Sequence, residues 1–345
     1  MSLLLDEICE QPRVLRDLRS RNGSILAAVA EEYRKRDLRG IYFAARGTSD
    51  HACIYAQYLF GITAGIPCAL GTPSVVTKYG AEIDLRSHLV IGVSQSGKAE
   101  DVLSVLRMAN AQGALTVAVT NYPDSPMARE AKYHLDCSAG EEVSIAATKT
   151  FTAQMFILAQ LCAEMSQNKE LKEQLENVWE RAADLLKYAP AAMEAKVQRY
   201  RYLTNAFILG RGLEYPIALE GALKILETNR IKMKGAPESD FYHGPIAQVK
   251  YGDLAIVISG NGPTYDDDIS MIEKLHGLGA EVFVITNDEE LYKSEKFGIL
   301  TPDTGLYTAP FMFAICVQLF AYGLTVVRGI DPNKSEVLNK ITITK

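Results

Sequence analysis

Several common signatures are missing from the 345-residue chain. It has one tryptophan, five histidines and six cysteines. The cysteines, at 9, 53, 68, 137, 162 and 316, form no CxxC pair and lie mostly in apolar contexts. That spacing fits reduced, buried thiols better than disulfides or zinc ligands, and no metal or cofactor is expected. Positive charge is not in excess: 36 Lys and Arg face 42 Asp and Glu, a net −6, which argues against a nucleic-acid surface. Any anionic ligand must then be held by local dipoles rather than by a basic field. No uninterrupted apolar run reaches the roughly 18 residues of a membrane span. The start, MSLLLDEICEQPRVLRDLRS, is charged from Asp6 onward, unlike a secretory signal, so a cytoplasmic protein without a membrane partner is expected.

The stretch LVIGVSQSGKAED, from Leu89 to Asp101, is the most informative part of what is present. Leu89, Val90, Ile91 and Val93 form a continuous apolar run suited to a parallel strand buried on both faces. The run ends in Ser94-Gln95-Ser96-Gly97. A helix then starts, with Glu100 and Asp101 in its first turn, where the helix dipole favours acids. Strand, hydroxyl-rich turn and helix N-terminus can surround a phosphate with backbone N–H groups and hydroxyls. An ordinary N-capping serine is the competing explanation.

The same strand-turn-helix pattern recurs. Residues 6–38 alternate charged and apolar positions as a helical lead-in. Gly40 to Ala45 reads as a buried strand closing on Arg46-Gly47-Thr48-Ser49-Asp50, and Leu115 to Thr120 reads as another. Strands alternating with helices imply an α/β fold with a parallel sheet covered on both faces. After helices in 166–200 the pattern restarts. Arg211 follows Arg46, Gly262 follows Gly97 and Asn287 follows Asn121 at one nearly constant spacing, each in a matching local sequence, so the chain reads as two copies of one α/β unit. The expected boundaries are a lead-in at 1–40, a first domain at 41–165 with the phosphate turn, linking helices at 166–200, a second domain at 201–330, and a tail at 331–345. The copies differ where chemistry is expected: Ser94-Gln95-Ser96 is replaced by Ser259-Gly260-Asn261.

The second copy carries charges on an otherwise apolar helix. Glu220, Lys224 and Glu227, at i, i+4 and i+7, share one face. Three charges there are costly unless paired or facing a cleft, and a solvated Glu–Lys pair is the alternative. His243 sits in the turn Tyr242-His243-Gly244-Pro245, a common place for a catalytic group and also for a histidine with no role. Gly140 to Thr150 is small and polar before a long helix, so its backbone can approach a ligand.

These motifs together resemble the sugar isomerase (SIS) domain family, in the double-domain form of the isomerase half of glutamine:fructose-6-phosphate amidotransferase. The resemblance runs from about Tyr42 onward. It rests on Arg46-Gly47-Thr48-Ser49, Val93-Ser94-Gln95-Ser96-Gly97, Ala146-Ala147-Thr148-Lys149, Leu209-Gly210-Arg211-Gly212, Ala218 to Lys224, His243-Gly244-Pro245 and Leu338-Asn339-Lys340. The wording ARGTSDHA at 45–52 and PSVVTKY at 73–79 is similar to stand-alone SIS-type glucosamine-6-phosphate deaminases. The resemblance implies two tandem SIS domains, each a three-layer αβα unit of flavodoxin or Rossmann type.

It also implies roles. Ser49, Ser94, Gln95 and Ser96 would hold the sugar phosphate, and Ile145, Ala146 and Ala147 would line the sugar. Glu227 would shuttle a proton between C1 and C2, and Glu220 and Lys224 would bind the substrate. His243, from the partner subunit of a homodimer, would open the ring, and Lys340 would cover the site. Three departures bear on specificity. Ala99 stands where relatives usually carry a hydroxyl, Tyr242 where synthases often carry lysine, and Ser335-Glu336 where relatives often carry Pro-Arg. Because Met1-Ser2 offers no catalytic cysteine, no glutaminase segment is expected to act with this chain. The expected reaction is therefore glucosamine 6-phosphate plus water to fructose 6-phosphate plus ammonia. A fructosamine- or glucoselysine-6-phosphate deglycase, an aminotransferase-like isomerase and a non-catalytic sugar-phosphate sensor are the alternatives.

Overall fold

The computed structural model describes residues 2–333 and contains two compact units, each built on one five-stranded sheet. The first unit takes in Arg13–Glu142 and Lys149–Glu176; the second takes in 2–12, 143–148 and 177–333.

The strands of the first sheet are β1 (Gly40–Ala44), β2 (Cys68–Leu70), β3 (His88–Val93), β4 (Leu115–Thr120) and β5 (Tyr133–Asp136), and all pairings are parallel in the order β2-β1-β3-β4-β5. The second sheet contains β6 (Asn205–Gly210), β7 (Lys232–Pro237), β8 (Leu254–Ser259), β9 (Glu281–Thr286) and β10 (Gly298–Leu300), also parallel, in the order β10-β9-β8-β6-β7. Read from β7, this is the topology of the first sheet repeated. Central strands are buried along their whole length and mostly apolar because helices cover both faces: every residue of β1, β4 and β8 is buried. The edge strand β7, KMKGAP, is instead half open, with Lys232 exposed and Pro237 ending it.

In each sheet the connections reverse direction between the first and third strands, β1/β3 and β6/β8. The carboxyl ends of strands at such a switch point diverge and leave a crevice where ligands of doubly wound sheets bind. The turns singled out in the sequence, after β1 and after β3, flank this crevice in the first unit. The second unit has its counterparts after β6 and after β8.

Each unit closes around its own core. Val90, Val102, Leu106, Ala118 and Met127 pack together in the first, and Phe207, Val257, Met271, Leu275 and Val284 in the second. Phe241 joins the second core edge-on to Phe207 at 5.2 Å, so the short helix Glu238–Tyr242 is pinned just before His243. The helix Ala309–Val327, 19 residues, is long and apolar enough to cross a membrane, which the count of uninterrupted apolar residues did not register. It is 89% buried inside the structure, as a core helix of the second unit. The helical lead-in is three helices, Leu3–Cys9, Gln11–Leu18 and Gly23–Lys35.

Candidate functional site

In the first unit the phosphate candidates share one end of the sheet. Ser94 ends β3 in a buried position and its Oγ accepts the Gly97 N–H at 3.2 Å; Ser96 Oγ accepts the Lys98 N–H at 3.3 Å. The turn is held from β4, where Ser94 N–H donates to Val119 and Asn121 N–H donates to the Gln95 carbonyl, both at 3.1 Å. Gly97 is required: its φ is +62°, and a Cβ there would lie 2.2 Å from Ser125 Oγ. Ser49 is buried in the first turn of the helix Thr48–Ala64, which follows β1. Neither that helix nor Glu100–Ala111 is capped by the side chain of its N-cap residue, since Gly47 and Ala99 precede them. Gln95 and Ser96 are half-buried beside them. This arrangement suits an anion.

In the second unit, the helix Tyr215–Asn229 carries the charged row. Glu220 is fully buried and Lys224 nearly so, while Glu227 is 19% exposed. Lys224 Nζ lies 3.3 Å from Glu220 Oε1 and 2.7 Å from Glu227 Oε2. Burial works against the ammonium, but the two carboxylates outweigh it and raise the lysine's pKa above its ordinary value. A solvated Glu–Lys pair is thus replaced by a desolvated Glu–Lys–Glu row with its outer end reaching the surface. Gly235 allows β7 to lie against this helix, since a Cβ there would meet the Ala218 carbonyl oxygen at 2.7 Å.

Two further candidates fall in the same unit. Ile145, Ala146 and Ala147 belong to 143–148, which clusters with the second sheet. The cause is local: Glu7, buried on the helix Leu3–Cys9, accepts the N–H groups of Val143 and Ser144 with its carboxylate. His243 is exposed and follows the helix Glu238–Tyr242 as its C-cap, with its N–H on the Asp240 carbonyl. Lys340 and Ser335-Glu336 lie outside the described residues. Among the described residues, no group of three or more His, Cys, Asp or Glu side chains is placed to hold a metal ion.

Sequence reasoning missed a group of acids at the second unit's switch point. Glu214, Glu238 and Asp268 are all buried. Glu238 faces Asp268, and Asp268 also faces the buried Ser259 hydroxyl. Burial raises the pKa of both, and the charge of Asp268 pushes Glu238 up further, so the pair keeps a proton that free carboxylates would have lost. Burial pushes Glu214 up to about 8, helped by Asp268. Glu214 stands at the repeat position of Ser49, with the same spacing as Arg211 from Arg46, so the repeat was the signal that could have found it.

Two units of parallel sheet with a switch point in each, one with an anion-ready turn and the other with a buried acid–base row, place the chain among the doubly wound α/β proteins. The chain belongs to the SIS domain family: residues 36–164 and 203–328 each match the SIS domain. Over 98% of its length it is 32% identical to the glutamine–fructose-6-phosphate aminotransferase [isomerizing] of Thermococcus kodakarensis, and it spans 57% of that protein. Its structure is similar to the C-terminal domain of glucosamine-fructose-6-phosphate aminotransferase from Francisella tularensis, with TM-score 0.87, 26% identity, and coverage of 97% of this chain and 98% of that one. It also shares the fold of glucosamine-6-phosphate deaminase from Thermotoga maritima, with TM-score 0.80, 20% identity, and coverage of 99% and 100%.

Proposed function

We propose that the chain is an isomerising deaminase that converts glucosamine 6-phosphate and water to fructose 6-phosphate and ammonia. The observation that carries this is the Glu220–Lys224–Glu227 row. Two sealed charges fix the helix face, and the third, Glu227, opens to the surface in the same unit as His243 and the loop Ile145–Ala147. On this basis Ser49, Ser94, Gln95 and Ser96 hold the phosphate, and the backbone of Ile145, Ala146 and Ala147 lines the sugar.

His243 opens the pyranose by taking the proton of the C1 hydroxyl and returning one to the ring oxygen. Glu227 then removes the C2 proton of the open aldehyde, giving an enolamine, and delivers it to C1. C1 becomes a primary alcohol and C2 an imine. The oxidation at C2 balances the reduction at C1, so the step needs no outside oxidant. Water adds to the imine, ammonia leaves, and the ketose remains. Lys224 holds the Glu227 carboxylate in place as it gains and loses the proton. Lys340 is assigned to the carbonyl end by family resemblance.

The hydrolytic half rests on the likeness of ARGTSDHA and PSVVTKY to SIS-type deaminases. The aminotransferase relatives support a second reading, in which the same proton shuttle isomerises the sugar without releasing ammonia. An ammonia-release assay across glucosamine, galactosamine and fructosyl-amine 6-phosphates separates these. Release from glucosamine 6-phosphate supports deamination, and release only from fructosyl-amines supports a deglycase. Interconversion of hexose 6-phosphates without ammonia leaves the isomerase alone. Tight binding with no turnover of any kind points to a sensor and overturns the proposal. We assign His243 to the partner copy's site in a homodimer; mixing Glu227→Gln and His243→Asn chains then restores activity, and failure to do so places both residues in one copy.

A further inference from the structure

The arginines that follow the first strand of each sheet are anchored alike. Arg46 donates from Nε to Asp101 Oδ2 at 2.6 Å, and Arg211 Nε lies 3.4 Å from Asp267 Oδ2. Each acid sits near the start of the helix that follows the third strand of its unit, Glu100–Ala111 or Tyr265–Gly277. Asp267 follows Asp101 at almost the same spacing as Arg211 follows Arg46, so the bridge is part of the repeat.

The anion facing each guanidinium differs. Arg211 favours the ionised forms of Glu238 and Asp268, the chain's own buried acids. At the repeat positions of those two acids the first unit has Pro73 and Val102, neither of which carries charge. Arg46 therefore has the anchor without the internal anions. Its side chain is 49% exposed, Asp101's only 4%, and beyond the Nε bond it makes no hydrogen bond or ion pair with any described residue. Asp50, whose carboxyl burial pushes upward, feels the Arg46 charge without bonding to it. Asp101 is itself fixed, its Oδ1 accepting the Val102 N–H at 2.9 Å.

We propose that Arg46 is a ligand of the substrate's phosphate. Held through Nε, it presents its terminal amino groups to a phosphate monoester seated in the Ser94–Gly97 turn. A guanidinium has five N–H donors in a rigid fork, and a bridge through one of them leaves a pair matched to two phosphate oxygens. In a chain of net charge −6 it supplies the local cation that the turn's hydroxyls cannot, beside Ala99, which offers no hydroxyl of its own. The proposal rests on the phosphate assignment of that turn.

Binding of inorganic phosphate and of fructose 6-phosphate to the full chain, followed by calorimetry, tests it without relying on turnover. Arg46→Gln weakens both by about ten- to hundredfold, visible in an active enzyme as a rise in KM with kcat nearly unchanged. Arg46→Lys, which keeps a charge beside Asp101, weakens both at least about fivefold, because one ammonium cannot serve anchor and ligand together. Arg211→Gln breaks the matching bridge in the second unit and leaves phosphate affinity unchanged. Wild-type affinity in folded Arg46→Gln or Arg46→Lys protein, with affinity lost in Ser96→Ala, makes Arg46 a structural strut and overturns the proposal alone. Absence of phosphate binding in the wild type overturns the phosphate assignment along with it.

Discussion

Replacing Glu214 by glutamine should make the protein less sensitive to alkali. Burial moves this carboxyl from its ordinary value near 4.5 to about 8. The folded chain therefore holds a proton across the window in which the unfolded chain has released it. Folding takes up that proton between roughly pH 4.5 and 8, so stability falls as pH rises through this range, and at low pH the effect vanishes because both states are protonated. Each pH unit inside the window costs about 1.4 kcal/mol. At pH 7 the accumulated cost is about 3 kcal/mol, and between pH 5 and pH 8 the change is of similar size. A glutamine has nothing to titrate. Its packing penalties are independent of pH, so the slope is what should be read. Denaturant unfolding of wild type and Glu214→Gln at half-unit steps from pH 5 to 8 should give curves that diverge by about 3 kcal/mol at the alkaline end, or roughly 6–12 °C in Tm for a cooperative unit of this size. Parallel curves would mean that Glu214 is ionised in the folded chain and that the buried acid cluster is wrongly described.

Glu227→Gln should lower kcat by at least about a hundredfold while fructose 6-phosphate still binds, measured by turnover and calorimetry side by side; retained turnover removes Glu227 from the base role. Lys224→Met leaves Glu220 and Glu227 without their shared cation and should cost about 3–5 kcal/mol in unfolding free energy, more than either activity loss or surface charge would suggest. Gly97→Ala forces a Cβ against Ser125 at a positive φ, so it should lower stability by about 1–3 kcal/mol and weaken phosphate binding together, checked by melting and by phosphate titration. A Gly97→Ala protein with wild-type Tm would show that the turn is not held as described.

The parallel sheets were legible because a strand buried on both faces has no polar alternation to hide it: Gly40 to Ala45 and Leu89 to Val93 announce themselves. The turns at Arg46 and Ser94 were legible as breaks in those runs, and the duplication as a constant offset between them. What stayed hidden depends on topology. Glu214, Glu238 and Asp268 are separate in sequence and each looks like an ordinary surface acid; only the β6/β8 switch point gathers them away from water. The Arg46–Asp101 bridge spans 55 residues and exists because β1 and β3 are neighbours. The stretch Gly140 to Thr150 reads as a small, polar approach to a long helix, which begins at Lys149; the grouping of 143–148 with the second sheet comes from Glu7, far upstream. The charged row on Tyr215–Asn229 was visible as a periodicity, yet its burial was not, since β7 and Gly235 must be in place before Lys224 loses its solvent.

The Glu7 contact has a practical side. The helix Leu3–Cys9 lies at the start of the chain, where expression tags are usually fused and where short trims are thought harmless, yet its one buried carboxylate fastens Val143 and Ser144. Cutting the first nine residues would unhitch the segment that carries Ile145 to Ala147. Preparations that carry a fusion directly before this helix should therefore be compared with fusion-free protein before any weak activity is blamed on the wrong substrate.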